Sequence, residues 1–240
     1  MESAYALNYR DLYQQHWWWR ARERLILLTI EEIRRTRRMD TILDIGCGDG
    51  LLFDQLVRFG DVEGVESDRS LVSEHGRWRE RIYVSPFDRT FQPGKRYSLI
   101  LMLDVLEHFS DAASALARAI ELLDVDGTLL LTVPAFPCLW TNHDDLNKHF
   151  KRYIKNDLIV LASQAGMKIL DCQYFFHWTF VPKLLLHFKE SYFGTRFKVP
   201  KVPHPWVNAT LLRFSIAEQK LFRHLSVPFG SSIIAIGRHT

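Results

Sequence analysis

The sequence predicts an α/β fold: a doubly wound, mostly parallel sheet with helices packed on both faces. Two observations carry that expectation. From residue 41 to 135, β-branched or aliphatic runs alternate with helix-like runs, the order that βαβ units require. Several strand-like runs, Thr128–Val133 above all, are apolar throughout, as strands covered on both sides must be. The chain has 240 residues, 47% hydrophobic and 25% charged, the size and make-up of one large globular domain. A disordered or fibrous chain is excluded on that composition.

The elements follow in order. The first forty residues read as helix, with Trp17-Trp18-Trp19 ahead of Leu25, Leu28 and Ile33 along one side. Thr41–Ile45 is a strand running into glycines, and Leu51–Phe59 a helix closed by Gly60. Val62–Glu66 is a short strand and Ser70–Arg79 the next helix. Arg81–Val84 and Leu99–Leu103 are strands, Asp111–Leu123 an Ala/Leu-rich helix, and Thr128–Val133 a buried strand. Asn156 or Asp157 N-caps a helix that ends at Gly166. Lys168–Phe176 alternates like a strand, and Ser231–Gly237 is the last apolar strand, the seventh. About fifty-five residues separate those two, far more than a hairpin needs. Within them Leu211, Phe214, Ala217, Leu221 and Leu225 keep helical spacing, so this insertion has structure of its own.

The net charge of +3 is too small to announce a nucleic-acid binder. It hides a split: residues 20–38 hold seven Arg against three Glu, and residues 177–230 eight Lys or Arg against two Glu. The remainder is acidic. The Arg34-Arg35-Thr36-Arg37-Arg38 run reads as a solvated helix end. Three cysteines, Cys47, Cys138 and Cys172, without C-x-x-C spacing argue against a disulfide framework or a zinc ribbon. The Met1-Glu2-Ser3-Ala4 start lacks a signal-peptide pattern, and a cytoplasmic location is expected.

Leu43-Asp44-Ile45-Gly46-Cys47-Gly48-Asp49-Gly50 follows a strand and opens a helix, where open α/β sheets bind ligands. Glycines there let the backbone turn sharply and approach a ligand. Glu66 ends the second strand twenty residues after Gly46, placed to accept hydrogen bonds from both hydroxyls of a ribose. A nucleotide-dependent dehydrogenase would want G-x-G-x-x-G, and Leu51 stands at the third glycine position.

The G-x-G-x-G spacing, with Asp44 two residues before it, resembles motif I of class I S-adenosylmethionine-dependent methyltransferases. The resemblance extends over Gly64–Asp68, over Tyr97–His108 with its Asp104-Val105-Leu106-Glu107-His108 run, and over Asp126–Pro134. The D-V-L-E-H run is similar to the small-molecule branch that includes ubiquinone-biosynthesis O-methyltransferases. Two departures stand out: Ser98 where an Asp commonly precedes the fourth strand, and Ser85-Pro86-Phe87 in place of an acidic loop.

The resemblance implies a Rossmann-like, seven-stranded domain over 1–240. Its parts are an N-terminal helical cap (1–40), a cofactor-binding core (41–135), an acceptor loop, helix and strand (136–176), a helical lid (177–230) and the last strand (231–240). S-adenosylmethionine is the implied cofactor. Gly46 and Gly48 would border its methionine part, Glu66 its ribose, and Leu103 and Asp104 the sulfonium region. Arg22 or Arg24 would meet its carboxylate, and Phe87 or Asp88 its adenine. Asp44, Cys47, Ser67 and His108 complete the implied cofactor site, although Cys47 also reads as a small filler rather than a nucleophile.

Asn142–Tyr153 follows the strand ending at Val133-Pro134 and resembles a histidine/Arg-Tyr signature of bacterial small-molecule methyltransferases. His143 and His149 are the candidate bases, since imidazole titrates near neutrality. His143, Asp144, Asp145 and His149 could instead bind a metal, or fix the loop by hydrogen bonding and capping; their spacing is not sharp enough to assign a metal. Tyr174–Phe180 and Pro182–Lys189 could pack on the sheet, cover the acceptor, form a dimer contact, or lie on a membrane through 175–192. The Asn208-Ala209-Thr210 sequon carries no meaning in a cytoplasmic chain. The expected reaction is methyl transfer to a small-molecule acceptor, most naturally at oxygen. The basic segments, with Lys183, Lys189 and Lys198, point to an anionic or lipid-like acceptor. Nucleic acid is not an expected partner. A nucleic-acid or protein methyltransferase, or a cofactor-binding relative without catalysis, are the alternatives.

Overall fold

A computed structural model describes residues 10–193, 200–223 and 225–239. The first nine residues, including the start motif, and Lys198 lie outside them. Seven strands form one sheet: β1 (Thr41–Ile45), β2 (Asp61–Glu66), β3 (Ile82–Val84), β4 (Tyr97–Leu103), β5 (Leu123–Pro134), β6 (Met167–Phe175) and β7 (Ser232–His239). Their order is β3-β2-β1-β4-β5-β7-β6. Pairings from β3 to β5 are parallel, whereas β7 runs antiparallel to both of its neighbours.

The helices are α1 (Trp17–Thr36), α2 (Phe53–Leu56), α3 (Ala112–Glu121), α4 (Asn142–Leu146), α5 (Lys155–Gln164), α6 (Phe180–Phe193) and α7 (Pro205–Phe222), with a helical stretch at 10–15 ahead of α1. Strand periodicity divides the core into two layers. Leu43, Ile100, Met102, Leu129, Leu131 and Val133 face the side covered by α3 and α5. Ile42, Leu99, Leu101 and Leu130 face α1 and α2. The doubly wound arrangement expected from the alternating runs is therefore present, helices on both faces included.

Local chemistry explains the element ends. A ring nitrogen of His16 accepts a hydrogen bond from Trp18 N–H and starts α1, while Arg34 and Arg35 meet the negative end of its dipole. Asp111 caps α3 through Ser114 N–H. Ser98, the departure from the usual Asp, accepts from the N–H groups of Asp40 and Thr41 and donates to Thr41 C=O, pinning β1 to β4. Of the arginine run, Arg34 bonds Arg58 C=O, Arg37 pairs with Asp126 and Arg38 with Asp40.

Three expectations need correction. The β2–β3 crossover is not a helix over 70–79: two short 3₁₀ turns, Arg69–Leu71 and Arg79–Arg81, flank a bend. Asp68 and Asp49 accept from Ser70 N–H and Ser73 N–H, diverting backbone donors that a helix would use. The 51–59 helix shrinks to α2 with turns on either side. Helix α5 begins at Lys155, with Ile154 rather than Asn156 or Asp157 at the N-cap and no side-chain bond.

Helix α7 forms over most of the segment with helical spacing, and its polar face looks inward. Ser215, Glu218 and Gln219 are buried, whereas Phe214 is 54% and Leu221 67% exposed. The polar face has partners: Gln219 Nε2 donates to Ala21 C=O, Glu218 accepts from Trp178 N–H, and Ser215 Oγ from Trp178 Nε1. Asn208 of the sequon donates to Gln15 C=O and accepts from Trp17 N–H, joining α7 to the entry of α1.

Three strand ends leave the sheet through left-handed residues that are not glycine. Asp104 follows β4, Phe136 lies two residues beyond β5, and Phe176 follows β6, with φ of 56°, 56° and 55°. The two-layer core gives one direct test. Leu130 is fully buried between β4 and β7 on the α1 side. Leu130→Ala should cost about 2–5 kcal/mol, read from the urea midpoint at constant slope.

Candidate functional site

The carboxyl ends of β1, β2, β4 and β5 border a cleft of about 1540 Å³, roofed by α1 and α6. A pocket for one small ligand typically has roughly 300–1,000 Å³, so this one has room for two. The first wall is the turn after β1. Gly46 has φ +72°, and a Cβ there would meet Val105 Cγ2 at 2.5 Å, so only glycine fits. Gly48 has φ +55° and open space where a Cβ would point, leaving a bare backbone edge toward the cleft.

Behind that edge, Glu66 is 6% exposed and accepts from Gly48 N–H (3.0 Å) and Asp68 N–H (2.8 Å). Each carboxylate oxygen still has acceptor capacity for a ligand hydroxyl. Asp44, 5% exposed, has its pKa pushed up to about 7; burial dominates, the Arg22 charge opposes it, and Glu66 adds to it. Burial and then the charges of Asp44 and Glu66 also push the Cys47 thiol far up, so it stays protonated. Its Sγ sits against Gly64, which makes it packing rather than chemistry. Ser67 lies on the same wall.

The second wall is the end of β4. Asp104 is held at its left-handed turn by Thr132, whose hydroxyl bonds both its backbone N–H (3.1 Å) and its carboxylate (2.9 Å). Arg22 reaches across from α1 to Asp104 (2.8 Å) and Thr132 (2.8 Å). Arg24 lies elsewhere, in a small crevice between α1 and α7 beside Lys220 and Arg223. Leu103, His108 and Glu107 continue this wall. Glu107 is 1% exposed, and neither of its carboxylate oxygens has a hydrogen-bond partner among the described residues. Burial, and after it the Asp104 charge, holds its pKa well above the usual carboxylate range.

The third wall is the loop after β5. Asp144 is fully buried and accepts from Arg152 Nε (2.9 Å), Arg152 NH2 (3.1 Å), Thr141 N–H (2.8 Å) and the His149 ring (2.8 Å). Burial alone would raise its pKa, but the His149 bond and the Arg152 charge and bonds override it and hold the carboxyl well below the ordinary range. Arg152 also donates to Ala135 C=O, which fastens the loop to the sheet. With Nδ1 on Asp144, His149 leaves Nε2 for the cleft. His143 also lines the cleft, but burial and then the Lys183 charge lower its pKa to about 4.

The metal set weighed from sequence does not converge. Asp144 is spent on Arg152 and His149, and Asp145 turns outward to Trp140 Nε1. Phe87 is likewise displaced from its expected place. It packs in the core on Phe91 and Phe109 and is absent from the cleft wall, while Asp88 is exposed and bonds Thr90. Phe109 is the ring on that side of the cleft. Sequence reasoning passed over Phe109, Glu107 and Thr132; the first two sit inside or beside the D-V-L-E-H run and were legible as neighbours of His108.

The roof is aromatic. Trp18 stacks on Phe176 (5.6 Å between centroids), Trp17 packs on Trp178 (5.3 Å), and Trp17, Trp18 and Trp178 all face the cleft. Tyr174, Phe175, Phe176 and His177 are all buried, Phe175 and Phe176 in the layer under α1, Tyr174 in the opposite layer and His177 against Phe222, so the first half of the aromatic segment packs inward. The second half does not: Val181, Leu185, Phe188, Tyr192 and Phe193 of α6 are exposed. Lys183 and Lys189 lie on the cleft side of α6.

A family model described as a methyltransferase domain matches residues 17–171. The ubiquinone biosynthesis O-methyltransferase of Azorhizobium caulinodans is 31% identical over 98 residues, covering 38% of this chain and 39% of that one. The protein of the same name in Hydrogenovibrio crunogenus is 25% identical over 153 residues, covering 60% and 57%. These matches span less than two thirds of either relative. Among solved structures, a TehB-like SAM-dependent methyltransferase from Corynebacterium glutamicum superposes with a TM-score of 0.56 at 17% identity, over 99% of this chain and 97% of that one. An S-adenosylmethionine-dependent methyltransferase from Clostridium acetobutylicum gives 0.56 at 11% identity over 91% of each chain. At those identities the two structures speak for the fold.

The Asp144 network yields its own test. Asp144→Ala leaves the 3%-exposed Arg152 without its counter-charge. A loss of about 3–5 kcal/mol is expected in denaturant unfolding. Asp145→Ala, at the exposed neighbour, should move the midpoint little.

Proposed function

The chain belongs to the methyltransferase-domain family, a class of S-adenosylmethionine-dependent enzymes, and we propose that it methylates a hydroxyl oxygen of a small acceptor with apolar character. The observation that carries this reading is the Asp144–His149 pair, which occupies Nδ1 of an imidazole on the wall of the cleft that Asp104 also lines. The site fits the cofactor on the structure's own terms. Gly48 leaves an open backbone edge, Glu66 lies behind it with spare acceptor capacity, and a cation and a carboxylate meet at Arg22–Asp104.

S-adenosylmethionine supplies an electrophilic methyl group on a sulfonium. Asp44, the Gly46–Gly48 turn with Cys47 behind it, Glu66, Ser67, Leu103 and Asp104 would hold it, with Arg22 toward its carboxylate and His108 at the edge. His149 takes the hydroxyl proton on Nε2 while Asp144 fixes its tautomer and orientation. His143, with its lowered basicity, is the poorer base and serves to line the acceptor side. The aromatic roof keeps water from the reacting oxygen, and positioning supplies the rest.

Support for a lipid-like or anionic acceptor comes from α6, which turns Lys183 and Lys189 to the cleft and its apolar side chains to solvent. No helix among the described residues is long and apolar enough to cross a membrane. Contact with an anionic bilayer surface through α6 would bring such an acceptor to the cleft.

His149→Ala should lower kcat by about 10²–10⁴-fold with little change in KM. Glu66→Ala should weaken S-adenosylhomocysteine in calorimetry and leave acceptor affinity alone. Absence of any binding of S-adenosylmethionine or S-adenosylhomocysteine would overturn the assignment. Co-sedimentation should be stronger with phosphatidylglycerol vesicles than with phosphatidylcholine vesicles and weaker for Leu185→Asp. Equal recovery from both, or a dimer in sedimentation that Leu185→Asp dissolves, would remove the membrane part.

A further inference from the structure

Most of the cations on the cleft wall are already committed. Arg10 pairs with Asp49, Arg22 with Asp104, and Arg152 with Asp144. Lys183 is the sheltered exception. No carboxylate among the described residues pairs with it, and it is only partly open to solvent. Burial, and then the Arg152 charge, lower its pKa to about 8, and Asp144 and Asp104 offset this only in part. An ammonium taken out of water without a partner costs free energy unless a ligand brings the counter-charge. Lys189, on the same helix, is exposed, so water and salt screen it.

The place of Lys183 ties it to the acceptor. It lies in the first turn of α6, with its N–H bonded to Thr179 C=O, and its charge is the foremost one acting on His143. Trp178 comes just before that turn. Its backbone N–H goes to Glu218 and its Nε1 to Ser215, so what it offers the cleft is ring surface, extended by Trp17 at 5.3 Å. One short segment therefore presents an aromatic surface and, about one turn on, a single uncommitted cation.

We propose that the acceptor is an aromatic hydroxy acid whose carboxylate binds Lys183 while its ring packs under Trp17 and Trp178. The inference rests on the proposed hydroxyl acceptor and deepens it, from an anionic or lipid-like molecule to one chemical class. One free ammonium matches one negative charge. A phosphate dianion would bring a second charge into a cleft whose sheltered arginines, Arg22 and Arg152, are spent. Lys183 is a specificity residue in this scheme: it holds the acceptor, and the hydroxyl proton stays the business of His149.

The test is calorimetric titration of the full chain, saturated with S-adenosylhomocysteine, with hydroxynaphthoates and the matching hydroxynaphthamides. The acids should bind at least about tenfold more tightly than the amides. Lys183→Met should remove that preference, weakening the acids about tenfold and the amides less than about twofold, and Lys183→Arg should restore most of it. Circular dichroism checks that each variant is folded. In turnover the Lys183→Met loss should fall on KM for the acids and spare kcat. Equal binding of acid and amide, an equal loss of both in Lys183→Met, or a preference removed by Lys189→Met instead, overturns the site. Tighter binding of naphthyl phosphate than of the acids overturns the carboxylate class. The hydroxyl reading is judged separately, by His149-dependent transfer to phenols: such transfer without an acid preference removes only the Lys183 site. Acid binding without transfer keeps that site and removes the hydroxyl acceptor.

Discussion

Everything in this molecule hangs on the reversal of strand order at β1. Strand β1 has β2 on one side and β4 on the other, and the chain leaves for its two neighbours in opposite directions. Connections that diverge in this way cannot cover the gap at the carboxyl end of the central strands. A crevice is therefore a topological consequence of the fold before any side chain is chosen. The turn after β1 enters it as bare backbone, β2 delivers Glu66 to one flank, and β4 delivers Asp104 to the other.

What the crevice lacks, the second half of the chain provides. Strands β6 and β7 extend the sheet, and the loop after β5 is fastened back onto it by Arg152 and Asp144. Asp44, Glu66, Asp104 and Glu107 are among the carboxylates that line one cavity, with Arg22, Arg152 and Lys183 among the cations around it. The charge split along the sequence has its spatial meaning here. Acid comes from the sheet ends, and base comes from the segments laid over them. The first basic segment also spends much of its charge on neighbours, since Arg34, Arg37 and Arg38 each meet a carbonyl or carboxylate.

The sheet was legible because doubly covered parallel strands are continuous apolar runs, and six strands lie within two residues of the expected bounds. Strand β5 begins five residues early, since Leu123–Asp126 carry no such run. The β2–β3 crossover was not legible, because its shape depends on Asp49 and Asp68 capturing backbone donors from a distance. Helix α7 shows a different limit. Periodicity reveals that one face is apolar but not which face looks inward, and here Glu218 and Gln219 found partners on α1 and Trp178. At the site, the glycine turn and Glu66 were readable from spacing. Phe109 was not among the expected residues, because only packing decides which ring, Phe87 or Phe109, reaches the cleft.

The left-handed residues after β4, β5 and β6 carry a consequence for how this chain can be improved. Asp104, Phe136 and Phe176 each hold a backbone conformation that costs an ordinary residue about 1 kcal/mol or more, and glycine would relieve it. Yet Asp104 anchors Arg22, Phe136 stacks on Tyr174, and Phe176 carries Trp18. Robustness and cavity shape are thus traded at the same three positions. Selection for heat tolerance alone would erode the cleft from its rim, while selection for turnover would keep the strain in place.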